Sequence, residues 1–125
     1  MKLYKIGFDL DDVLTDFKKA YKQQYKENQQ FPQAGARFFD NLEPLKSNDI
    51  YNIEFVKKLI LLGHDVSIVT APSIPNHNCW TGKSIWIEKY FGQDMLKKTV
   101  MTYDKSIGSK HFDILVDDSI KNGQE

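Results

Sequence analysis

The chain has a single cysteine, Cys79, so no intrachain disulfide can hold it together. It has no excess of either charge, with 17 basic residues (Lys and Arg) against 17 acidic ones. Proteins that grip long nucleic acids carry surplus basic charge, so this balance excludes an extended nucleic-acid platform while leaving room for one local anion site. No stretch approaches the roughly 20 apolar residues of a membrane-spanning helix. The opening run MKLYKIGFDLDD is too short and turns acidic too soon for a secretory signal. There is no internal repeat, no low-complexity tract and no linker. These absences point to one domain over residues 1–125 in a reducing, cytoplasmic setting, with no membrane partner and nothing that specifies an oligomeric state.

What is present is alternation. Leu3–Leu10 is apolar apart from Lys5 and Asp9 and has the length of a buried strand. Asp16–Gln30 is polar and reads as a helix, and Phe31–Ser47, with Pro32, Gly35 and Pro44, as irregular chain. Ile50, Ile53, Val56, Leu59 and Ile60 recur at helical spacing, with Ser47 or Asn48 as the expected cap and Gly63 as the stop. Val66–Val69 is a short strand ending in Thr70, residues 72–79 a loop, and Thr81–Phe91 a helix stopped by Gly92. Thr99–Thr102 and Ile114–Val116 supply two more strands. Strands alternating with helices predict an α/β fold with a parallel sheet, whose ligands sit at the carboxyl ends of the strands.

The notable polar residues fall at those ends: Asp9 and Asp11 after the first strand, Thr70 after the second, Asp117 and Asp118 after the last. Asp9 and Asp11 are two residues apart, so both side chains can point to one side of a strand end. Two carboxylates about 4 Å apart repel by ~4 kcal/mol at an effective dielectric near 20. A cluster of them therefore calls for a cation. An oxygen-only donor set favours a hard ion such as Mg²⁺, which keeps waters and takes a substrate phosphate. Such a site suits attack by a carboxylate on phosphorus, with a second carboxylate moving the proton. Each aspartate taken alone would serve as well to cap a turn or a helix.

With these residues in view, the chain resembles the haloacid dehalogenase-like phosphatases, and within them it is most similar to the 5′(3′)-deoxyribonucleotidases. The resemblance rests on FDLDDVLTDF (8–17), VSIVTAPS (66–73), MTYDKS (101–106) and DILVDD (113–118), with FFDNLEPL (38–45) and CWTGKSIWIEKYFG (79–92) pointing to the subfamily. It implies a Rossmann-like three-layer fold with a small parallel sheet. It also implies a reduced cap over residues 17–50, because Asp11 and Thr70 are only 59 positions apart.

By the same resemblance Asp9 is the nucleophile and Asp11 the acid/base, its backbone carbonyl also meeting the metal. Asp118 joins Asp9 on Mg²⁺ with Asp117 assisting. Thr70 and Ala71 bind the phosphate, Lys105 neutralises it with Lys110 as its rival, and Lys83 lies nearby. Phe17 and Phe39 shape a nucleoside pocket. Two departures stand out: Asp12 replaces a usual Gly, which bears on the turn after Asp9, and Tyr103 replaces a frequent Arg. The implied partner is a small phosphomonoester, a nucleotide first, with a polynucleotide 3′-phosphate or a sugar phosphate as alternatives. A receiver-like or purely binding module is the reading outside catalysis.

Overall fold

A computed structural model describes residues 1–24, 38–74, 76–104, 106 and 110–118. β1 (Lys5–Phe8) runs up the middle of a four-stranded sheet in the order β5-β4-β1-β6, with β4 spanning Asp65–Thr70, β5 Thr99–Met101 and β6 Ile114–Val116. Every pairing in this sheet is parallel, so all four strands deliver their carboxyl ends to one edge. The register sets Ile6 beside Val66 and Ile114, and Phe8 beside Ile68 and Val116. With a period of two, these side chains share one face. Ile6, Phe8, Val66 and Ile68 form one core with Ile53 and Val56 of α2 (Asn52–Leu61) and Trp86 and Ile87 of α3 (Cys79–Phe91), with Val116 packed against it and Ile114 exposed at the sheet's edge. The α/β architecture expected from the alternation is the one observed.

Element ends follow local chemistry. α3 stops at Gly92, whose φ of 91° favours glycine, and a short α4 (Gln93–Leu96) follows at once. α1 covers Phe17–Gln24, and the rest of the helix expected to Gln30 lies outside the described residues. The same holds for residues 25–37 of the expected cap. Its described remainder gives α1, a 3-10 turn at Phe39–Asn41 and a hairpin of β2 (Lys46–Ser47) with β3 (Ile50–Tyr51). That hairpin corrects the expected helix cap. Asn48 and Asp49 have φ of 52° and 70°, the left-handed pair of a two-residue hairpin turn, so Ser47 and Asn48 belong to the hairpin and α2 begins at Asn52.

Two contacts lock α3 to the segment before the hairpin. The Trp86 indole donates to the Leu42 carbonyl at 2.8 Å. Gly82 lets the backbone of the 3-10 turn come close, since a Cβ there would stand 2.8 Å from Phe39 Cβ and 3.3 Å from the Asp40 amide. Trp80, by contrast, faces solvent. Gly82→Ala is expected to lose about 1–3 kcal/mol through overpacking. Urea denaturation checks it, and an unchanged midpoint would refute the close approach.

Candidate functional site

Asp9 follows β1 directly and continues its pairing with β6, its amide donating to the Val116 carbonyl at 2.8 Å. The chain then folds back sharply. The Leu10 carbonyl accepts from the amides of Leu14 at 2.7 Å and Thr15 at 3.0 Å, and the Asp12 amide donates to the Thr15 carbonyl at 2.9 Å. Leu10 and Leu14 are buried and anchor the turn. Asp12 takes a φ of 62°, a conformation that Asp tolerates better than most side chains. The turn thus keeps a left-handed residue where the resembled enzymes usually carry Gly.

This turn sets the two carboxylates apart. Asp9 is only 5% exposed, and its Oδ1 accepts the Leu10 amide at 2.8 Å. Oxygens of Asp9, Asp117 and Asp118 lie within 4.8 Å of one another. Asp11 turns elsewhere: its Oδ1 accepts from the Thr15 hydroxyl at 2.9 Å, and its Oδ2 is 3.1 Å from Lys83 Nζ.

Three ionised carboxylates at that separation repel by roughly 3 kcal/mol per pair at an effective dielectric near 20. The donor set is all oxygen, and one member is buried. It fits a hard divalent cation.

Beside the acidic trio sits a cationic half. Lys83, on α3, is 2% exposed, and its ammonium donates to Thr70 Oγ1 at 2.8 Å and to the Ala71 carbonyl at 2.6 Å. Thr70 ends β4 and is itself buried, so the strand end, the helix and the Asp11 turn meet at one nitrogen. The sequence suggested Lys105 as the principal cation; it lies outside the described residues, and Lys110 is exposed.

Phe39 is buried, with its ring centroid 5.2 Å from Lys83 Nζ. Phe17, half-buried, stacks on it at 6.0 Å. Thr15, the anchor of Asp11, was missed in the sequence. Its signal was its place four residues after Asp11 inside FDLDDVLTDF.

No protein-family model matches the chain. In an alignment of 126 positions that covers 94% of the chain, it is 30% identical to a candidate 5′(3′)-deoxyribonucleotidase of Acanthamoeba polyphaga mimivirus, spanning 54% of that protein. It is 42% identical over 82 residues to the mitochondrial 5′(3′)-deoxyribonucleotidase of Homo sapiens, 65% of this chain and 33% of that one. A candidate 5′(3′)-deoxyribonucleotidase of Vibrio phage KVP40 is 29% identical over 129 residues, 94% of this chain and 68% of the phage protein. The chain thus spans about half the length of the mimivirus relative and a third of the human one. No helix among the described residues is long and apolar enough to cross a membrane.

The crowding of acids also registers on Asp12. Burial pushes its carboxyl above the usual range, and the charges of Asp118 and Asp11 push the same way. The Lys18 amide, donating to Asp12 Oδ1 at 3.0 Å, and the Lys18 charge oppose them without winning. A raised value means that ionising Asp12 at neutral pH works against folding. Asp12→Asn keeps the acceptor and tolerates the positive φ, so it is expected to raise the melting temperature. The gain should be larger without divalent cation than with Mg²⁺. A lower melting temperature in both conditions would contradict this account.

Proposed function

The chain is a relative of the 5′(3′)-deoxyribonucleotidases, of the haloacid dehalogenase-like superfamily, and from that premise we propose that it is a Mg²⁺-dependent phosphomonoester hydrolase acting on nucleoside monophosphates. One observation carries the proposal: a buried carboxylate, Asp9, belongs to a trio of acids fit for a hard cation, and a buried ammonium, Lys83, is held on Thr70 at the same carboxyl edge of the sheet. A phosphate dianion needs positive charge on two sides before a carboxylate can approach it, and this arrangement offers both.

In the proposed reaction Asp9 attacks phosphorus as the bond to the ester oxygen breaks, and Asp11 gives its proton to the departing alkoxide. The products of this half are an aspartyl-phosphate on Asp9 and the free nucleoside. Water then adds to phosphorus while Asp11 takes its proton, and the bond to Asp9 breaks, releasing inorganic phosphate. Thr70 holds a phosphoryl oxygen throughout, and Lys83, its three donors engaged by the protein, favours the phosphate through its charge. Thr15 keeps Asp11 in place, with Lys83 beside it. Mg²⁺ held by Asp9, Asp117 and Asp118, with the Asp11 carbonyl, supplies the charge that neutralises the phosphate and orients the ester. We read residues 17–50 as a minimal cap over this site.

Hydrolysis of dUMP, dTMP, a 3′-phosphorylated oligonucleotide and a sugar phosphate tests the reading. Nucleoside monophosphates are expected to be the best substrates, with activity abolished by chelation and restored by Mg²⁺. Asp9→Asn is expected to lose at least about a thousandfold in kcat, the scale of removing a nucleophile, with its melting temperature kept. An active Asp9→Asn protein rejects the mechanism. Equal rates on all four esters reject the nucleotide assignment alone.

A further inference from the structure

The Lys83 ammonium has three N–H donors, and three acceptors surround it: Thr70 Oγ1 at 2.8 Å, the Ala71 carbonyl at 2.6 Å and Asp11 Oδ2 at 3.1 Å. Its fourth neighbour offers no lone pair. The Phe39 ring centroid stands 5.2 Å from Nζ, within the distance at which a ring face attracts an ammonium. That ring has little room to retreat. Gly82, the residue before Lys83, leaves the Phe39 backbone no space for even a Cβ between them. Phe17 stacks on the ring at 6.0 Å and Phe38 meets it edge-on at 5.3 Å. Phe39 is 2% exposed, so it presents almost no surface to a nucleobase.

We propose that Phe39 is a positioning residue for Lys83. Its ring holds the ammonium dry and against Thr70. Lysine has four rotatable side-chain bonds, and ordering them only when substrate arrives would weaken binding. Under the ring that order is already in place before the phosphate enters. The inference rests on the hydrolase reading only for the role given to Lys83.

The test uses inorganic phosphate as the probe, titrated calorimetrically into the full chain with Mg²⁺. Phenylalanines of increasing ring fluorination are incorporated in place of Phe39, which keeps the shape nearly constant while draining the ring face of negative potential. Phosphate affinity is expected to fall stepwise, by about three- to thirtyfold across the series. The KM for dUMP and for the base-free ester p-nitrophenyl phosphate should rise by a similar factor, with kcat changing less. In a Lys83→Met background the series should have no effect on phosphate affinity.

An unchanged phosphate affinity across the series overturns the proposal. So does a rise in the KM for dUMP alone, which would return Phe39 to the nucleoside wall. Wild-type protein that binds phosphate but hydrolyses neither ester rejects the hydrolase reading and leaves this inference standing. Wild-type protein that binds no phosphate rejects both.

Discussion

The ammonium of Lys83 is the constraint around which the carboxyl edge of the sheet is arranged. A lone charge taken out of water costs many kcal/mol, so a buried lysine survives only with its donors satisfied. Here each acceptor comes from a different part of the fold: the end of β4 through Thr70, the following loop through Ala71, and the turn after β1 through Asp11. Satisfying one nitrogen therefore fixes three segments relative to one another. It also fixes where α3 must lie, and the Gly82 contact and the Trp86 indole make that position possible. Packing and chemistry are one problem here, because the helix that completes the core also brings in the cation.

The strands and their terminal polar residues were legible in the sequence because they follow from a strong, simple rule. A parallel strand is buried on both faces and reads as an apolar run, and the first polar residue after it marks the functional edge. β1 with Asp9 and β4 with Thr70 obey it, and β6, an edge strand with no buried residue, still reads as an apolar run ending in Asp117 and Asp118. The β2–β3 hairpin was not legible as such. Lys46-Ser47 and Ile50-Tyr51 are too short for an alternation to show, and Asn48 serves a helix cap as readily as a left-handed turn.

Lys83 was visible only as a residue near the phosphate. Its importance depends on burial, and burial depends on how closely α3 approaches the 3-10 turn, which no local pattern encodes. Asp12 illustrates the reverse. A residue that departs from the resembled enzymes leaves the turn intact, because the backbone asks for a positive φ and Asp, like Gly, can supply it.

The two halves of the site explain each other through their signs. Asp9, Asp117 and Asp118 bring up to three negative charges to one spot, and Lys83 pairs with Asp11. Without a cation the trio would repel a phosphate at distances where water no longer screens well, and Lys83, already engaged by three acceptors, offers little against it. With a divalent cation in the trio the balance would reverse, and the anion would meet positive charge from the metal as well as from Lys83. The separation of Asp11 from the trio then has a physical purpose. A carboxylate that ligates the cation through its side chain would be a poor proton carrier, whereas in the proposed reaction one held by Thr15 and Lys83 would remain available for that role. The sharp turn after β1 produces that separation, turning two acids adjacent in sequence pattern into two groups with different neighbours and therefore different chemistry.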